Sequence, residues 1–138
     1  MTKVNLSTSI GIPPEQLWDF IGKFETLPDW HPAVETSELA EEGSVRRLKL
    51  VGGGTIVERL ERIDEDERLY SYSIVDSPLP VANYKATIRV RDEAGGERSI
   101  VEWSSEFDAA GASDSEAIKA IQDVYQTGLD NLKKLYGG

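Results

Sequence analysis

The sequence predicts an α+β fold: a seven-stranded antiparallel sheet curved around one long C-terminal helix, with two short helices after the first strand. Three observations carry this. Alternating apolar and polar stretches recur from residue 33 to residue 109, joined by connections too short for anything but antiparallel neighbours. Residues 113–138 carry an apolar stripe at helical spacing. A long amphipathic helix that follows a run of such strands must lie on the sheet's apolar face, and a sheet of this size curling around one helix can leave a cavity between them.

The elements follow in order. "KVNLSTSI" sets Val4, Leu6, Thr8 and Ile10 against Asn5, Ser7 and Ser9, a strand with one buried face. In "GIPPEQLWDFIGKF", Pro13 and Pro14 suit a helix start, and Leu17, Trp18, Phe20, Ile21 and Phe24 have helical spacing. "ETLPDWHPA" supplies a short second helical turn or loop between Pro28 and Pro32. Six strands come next. "AVETSELA" and "SVRRLKLV" flank the turn "EEG"; "GGGT" at 52–55 leads into "IVERLERI"; "DEDE" precedes "RLYSYSIVD"; "NYKATIRVR" and "SIVEWSSEFDA" flank "DEAGGE". In the last segment Ser113 or Ser115 is the N-cap, with Asp114 and Glu116 at the positive helix end. Its stripe comprises Ala117, Ile118, Ile121, Val124, Tyr125, Leu129, Leu132 and Leu135, and Lys133, Lys134 and a Gly pair close it.

Composition bounds the function. The 138 residues suit one domain, residues 1–138, able to bury about two-thirds of its unfolded surface. Apolar content is 39% and charged content 29%, with a net charge of −10. That charge speaks against nucleic acid and anionic membranes, which want a basic face. Cysteine is absent and His31 is the only histidine, so a metal site is not expected, nor any cofactor. With no signal-like start and no long apolar run, the expectation is a cytoplasmic protein without membrane insertion, a monomer or homodimer.

Alternation assigns an inward set that is mixed, not purely aliphatic. It places Ile56, Glu58 and Leu60 on one strand, Tyr70, Tyr72 and Ile74 on the next, then Tyr84, Ala86, Ile88 and Val90, and finally Val101, Trp103, Ser105 and Phe107. A buried, unpaired carboxylate is strongly disfavoured, so Glu58 has three outcomes open. A register slip turns it to solvent, an arginine such as Arg46 pairs with it, or it lines a cavity. The tyrosines are open to two readings: packed core with satisfied hydroxyls, or polar handles of an enclosed pocket. His31, between prolines, is expected as a satisfied surface or rim residue, and it is also the first candidate for acid–base work near neutral pH.

No nucleophile elbow, phosphate loop or zinc-protease motif is present; "GGGT" leads into a strand and lacks the lysine a phosphate loop needs. The stretch "ERLERIDEDERLYSYSIVDSPLPVANYKATIRV" resembles the corresponding part of plant abscisic acid receptors, and the element order resembles the START-like, or helix-grip, superfamily of polyketide cyclases/dehydrases and lipid-transport proteins. The resemblance implies a sheet gripping the terminal helix around a hydrophobic cavity. It implies that Glu58 matches a glutamate that reaches hormone through water, and that Tyr84 matches a pocket tyrosine. Trp30 stands where the receptors keep the lysine for the hormone's carboxylate, and "GGGT" replaces their gate loop, so abscisic acid sensing is not expected.

The expected function is binding or transport of a hydrophobic small molecule, lipid or polyketide-like. Its wall would use Trp30, Glu58, Tyr70, Tyr72, Tyr84 and Trp103, with Leu79 and Pro80 in a mouth at 78–82. The alternative is a cyclase, aromatase or dehydratase of the polyketide type, with Glu58, Tyr84 and His31 as candidate catalytic residues. A protein-interaction accessory module presenting Leu79, Pro80 and Val81 is a third expectation.

Overall fold

The computed structural model describes residues 2–137. The chain runs β1 (Thr2–Ile10), α1 (Pro14–Ile21), α2 (Leu27–Trp30), β2 (Val34–Ala40), β3 (Val45–Leu50), β4 (Thr55–Asp64), β5 (Leu69–Asp76), β6 (Val81–Glu93), β7 (Arg98–Ala109) and α3 (Asp114–Tyr136). The seven strands form one sheet in the order β1-β7-β6-β5-β4-β3-β2, every neighbour antiparallel. The chain enters at one edge, crosses to the other through α1 and α2, and walks back strand by strand until β7 meets β1.

Local chemistry sets the boundaries. The β3–β4 hairpin turns through Gly52, Gly53 and Gly54, all at φ near +90 to +106°, where a side chain would strain the backbone. The β4–β5 turn is held by Asp64, whose Oδ1 accepts from the amides of Asp66 and Glu67 at 3.1 Å. Ser113 closes a capping box with Glu116 at the start of α3.

A bulge in β6 matters more for the interior. Asn83 takes φ +54°, a region asparagine tolerates, and the pairing with β7 slips between Ala82 and Lys85. The slip lets Val81 and Tyr84 pack toward the same core although they are three residues apart. It also corrects the expected boundary: Val81 and Ala82 belong to β6, paired with Ala109 and Asp108, and only 77–80 remain a loop.

α3 crosses the concave face with Ala117, Ile121, Tyr125, Leu129 and Leu132 buried, whereas Leu135, expected in the stripe, is half exposed. The stripe drifts off the sheet because the last turn runs past it. There the Gly137 carbonyl accepts from the Gly11 amide at 3.0 Å, and Gly11 admits the Tyr136 carbonyl 3.1 Å from where a Cβ would sit. No helix among the described residues is long and apolar enough to cross a membrane. Nor does any group of three or more His, Cys, Asp or Glu among them stand close enough to hold a metal.

Candidate functional site

The inner face of β5, β6 and β7 carries a continuous layer of rings. Tyr70, Tyr72 and Tyr84 follow one another at centroid spacings of 5.9 and 6.1 Å, and Tyr84 stacks on Phe107 at 6.0 Å. α3 adds Tyr125, stacked on Trp103 at 4.3 Å, while Trp30 at the end of α2 packs 5.4 Å from Trp103. The polar tips are shared among the rings. Trp103 Nε1 donates to the Tyr72 hydroxyl at 2.9 Å, and the hydroxyls of Tyr84 and Tyr125 are hydrogen-bonded to each other. Burial pushes the phenols of Tyr72, Tyr84 and Tyr125 above their ordinary range, so all three remain neutral donors.

Between this layer, β3–β4 and α3 lies a cavity of about 180 Å³. Its walls are mostly aliphatic, with Leu48, Ile56, Ile74, Ile121 and Val124 among them. Glu58, Tyr72, Tyr84, Trp103, Leu79 and His31 also line it, so these sequence candidates meet in one place. The wall reaches the surface at Val51 and Gly53 of the β3–β4 turn, both exposed.

The carboxylate of Glu58 is neither in solvent nor alone. Arg46, directly across from it on β3, is fully buried at 0% exposure. Its Nε donates to Glu58 Oε1 at 2.7 Å, and Nη2 lies 2.6 Å from the same oxygen without the alignment of a hydrogen bond. Nη1 donates to the Phe24 carbonyl at 2.9 Å and to the Tyr70 hydroxyl at 3.3 Å. The guanidinium sits over the Phe24 ring at 4.2 Å and near Tyr72 at 5.0 Å, so cation–π attraction replaces part of its lost hydration. Burial disfavours the Arg46 charge, but the Tyr70 hydroxyl, Glu58 and Tyr72 outweigh it and hold the proton more tightly than usual. For Glu58 burial is the larger effect and pushes the carboxyl upward, against the pull of Arg46. With the arginine reliably charged, the pair stands as an ion pair whose acid is the softer member. Only Oε1 is engaged; Oε2 has no hydrogen-bond partner among the described residues.

His31 departs from its expected place at a rim. It is 1% exposed, and both ring nitrogens are used. Nε2 bonds the Val124 carbonyl at 2.7 Å and Nδ1 accepts from the Ala33 amide at 3.2 Å, which fixes the Nε2–H tautomer. Burial holds it below the ordinary imidazole value. It ties α2 to the middle of α3 and has no lone pair left for a reacting proton.

Trp30 supports Trp103 from behind, Tyr70 belongs to the arginine box with Trp18 and Phe24, and neither lines the cavity. Pro80 also stands off it, its carbonyl accepting from the Ala110 amide at 3.0 Å. Sequence reasoning set Tyr125 in the α3 stripe but did not count it among the site residues, although that phase points it at the sheet rings. It also passed over Gly128, where a mid-helix glycine signals close approach. A Cβ there would fall 2.7 Å from His31 Cδ2, 3.0 Å from Trp30 and 3.2 Å from Trp103. On the opposite side of the sheet an open trough of about 910 Å³ runs past Lys3, Asn5, Glu61, Lys85 and Glu106, with Ser71, Ser73, Thr87 and Ser104 between them.

A family model described as polyketide cyclase / dehydrase and lipid transport matches residues 1–137. The chain belongs to this family. Within the polyketide cyclase / dehydrase and lipid transport family, its sequence is 28% identical over 136 residues to abscisic acid receptor PYL6 of Arabidopsis thaliana, covering 89% of this chain and 63% of the receptor. The chain thus spans less than two-thirds of that receptor's length. Its fold superimposes on the protein XoxI from Bacillus cereus with a TM-score of 0.96 at 43% identity, covering 99% of this chain and 96% of that one. An aromatase/cyclase, ZhuI from Streptomyces sp. R1128, shares the fold at a TM-score of 0.76 and 19% identity, covering 94% of this chain and 90% of that one.

Proposed function

We propose that this family member binds a hydrophobic small molecule in the cavity between the sheet and α3. Glu58, Tyr72, Tyr84, Trp103 and Leu79 would be wall residues. The carrying observation is the enclosure itself: about 180 Å³ of mostly apolar space with the Glu58 carboxyl and the phenols of Tyr72 and Tyr84 in its wall. That is the form of a ligand pocket, apolar walls with a few convergent polar groups. The ligand receptor among its relatives supports the reading. The size narrows the ligand. An apolar engineered cavity of about 150 Å³ takes benzene, so this one suits a single ring or a short acyl segment. A whole lipid or a fused polyketide would have to hold the turn at 51–55 apart from Leu79.

The test is amide NMR under titration with single-ring hydrocarbons and short-chain lipids, beside a cavity-filling variant, Ile121→Phe. Binding predicts shifts confined to the cavity-lining residues of β3 to β7, Leu79 and α3, lost in the variant. A cavity that ignores every such ligand would refute the proposal.

A second reading, a cyclase or dehydratase of the polyketide type, has one observation in its favour: the raised carboxyl of Glu58 faces phenol donors. His31 offers it no base, because both nitrogens are committed. Turnover of a poly-carbonyl substrate abolished by Glu58→Gln would favour it over simple binding.

A further inference from the structure

The cavity wall holds an acid and no base. Among its described lining residues Glu58 is the one carboxylate, and no lysine or arginine joins it. Arg46 is near, but it lies behind Glu58. Its Nε and Nη1 hydrogens go to Oε1, the Phe24 carbonyl and the Tyr70 hydroxyl, and its Nη2 lies against the same Oε1 without an aligned hydrogen bond. The Phe24 ring covers one of its faces, and it does not line the cavity. His31 presents a neutral ring whose nitrogens are both occupied. An anion placed here would therefore meet Glu58 with no cation free to compensate it, in a space too small to bring its hydration shell along. A second cation would sit beside Arg46 and gain little.

A neutral hydroxyl or N–H finds a different situation, because Oε2 of Glu58 has no protein donor among the described residues while the carboxyl's other oxygen is paired with the charged Arg46. Hydrogen bonds to charged acceptors are the stronger kind. Tyr84 and Tyr125 spend a proton on each other and Trp103 donates to Tyr72, so a ligand oxygen can also receive from a neighbouring phenol.

We infer that the cavity selects neutral, single-ring-sized molecules that carry a hydroxyl or N–H donor addressed to Glu58, and that it rejects carboxylates. This rests on the proposed binding function and makes Glu58, backed by Arg46, the residue that sets ligand charge. Arg46 acts through Glu58: it favours the ionised carboxylate against the upward push of burial and leaves one oxygen of it uncovered.

Three para-methyl rings of nearly equal size separate the contributions: toluene, p-cresol and p-toluate, titrated into the full chain near neutral pH and followed by amide NMR. The expected order has p-cresol tighter than toluene by roughly ten- to a hundredfold, with p-toluate giving no shifts at cavity residues. Equal affinity for p-cresol and toluene, or p-toluate binding as well as p-cresol, would overturn the inference while leaving cavity binding intact. If none of the three binds, the proposed function itself fails and the selectivity falls with it.

The overall charge of −10 also repels anions, so a variant must separate the local effect. Glu58→Gln should cut the p-cresol advantage. Should that protein not fold with Arg46 unpaired, Arg46→Met/Glu58→Leu removes both charges at similar volume. Toluene should then bind as before, with p-cresol no tighter than toluene. A surviving p-cresol preference in the double variant would show that Glu58 is not the selecting group.

Discussion

Gly128→Ala opposes two effects of known size and so tests whether the aromatic clamp on α3 is as tight as the geometry requires. A mid-helix glycine costs about 1 kcal/mol relative to alanine, so helix propensity alone makes the variant more stable. Against this, the new methyl carbon would lie 2.7 Å from His31 Cδ2, 3.0 Å from Trp30 and 3.2 Å from Trp103. None of these rings can swing away freely. His31 is pinned at both nitrogens, Trp103 is stacked on Tyr125 at 4.3 Å and bonded to Tyr72, and Trp30 is wedged between His31 and Trp103. Overpacking of this kind costs typically about 1–3 kcal/mol, and a displaced His31 forfeits a hydrogen bond worth about 1 kcal/mol more. The balance is a net loss of about 1–3 kcal/mol, or a melting temperature lower by roughly 3–10 °C for a chain of this size. Urea unfolding followed by tryptophan fluorescence reads it directly. A double-mutant cycle with His31→Ala should be non-additive, since removing the ring makes room for the methyl. A gain of about 1 kcal/mol in Gly128→Ala would refute the reasoning and place α3 farther from α2 than the contacts describe.

Two further outcomes follow from the buried polar groups. Arg46→Met leaves Glu58 buried without its partner, forced either to stay charged or to take up a proton. Urea midpoints should fall by the equivalent of about 3–5 kcal/mol, whereas Arg46→Met/Glu58→Leu should recover most of this; a double variant as unstable as the single would contradict the ion pair. His31 titrates below its ordinary value of 6.5 because it is buried, so the unfolded chain binds the proton more readily than the folded one. Its contribution to stability is complete above pH 6.5 and declines as pH falls from there toward the folded value, by at most about 1.4 kcal/mol per pH unit. The difference in unfolding free energy between wild type and His31→Gln, measured from pH 7.5 down to 5.5, should therefore shrink; parallel curves would contradict a neutral, buried ring.

How far the site was legible depends on which signal carried each residue. Strand alternation has a period of two and survives small errors at strand ends, so Tyr72, Tyr84 and Trp103 were assigned to the inner face correctly, and the α3 stripe carried Ile121 and Val124. The same alternation turned Glu58 inward, and its pairing with Arg46 was one of the outcomes left open. Nothing local distinguishes those outcomes, because the choice depends on whether the β3–β4 register sets the two side chains opposite each other. His31 shows the other limit. Flanking prolines read as an exposed corner, and only the approach of α3, permitted by Gly128, buries that corner and uses both ring nitrogens. Trp30 and Tyr70 face inward as expected, yet they pack behind the cavity instead of lining it, since which inward rings meet empty space depends on neighbours from other elements.

By itself, then, the sequence determined the α+β architecture, the antiparallel succession of strands, the terminal helix and the side of the sheet on which the rings lie. These are properties of chain periodicity and turn chemistry, and they act over a few residues. The tertiary structure alone decided the size of the enclosure, the burial of His31, the shift of register at Asn83 and the use of one Glu58 oxygen by Arg46. Each of these arises where segments far apart in the chain meet within a few ångströms, and a tilt or slip of that size would fill the space or open it.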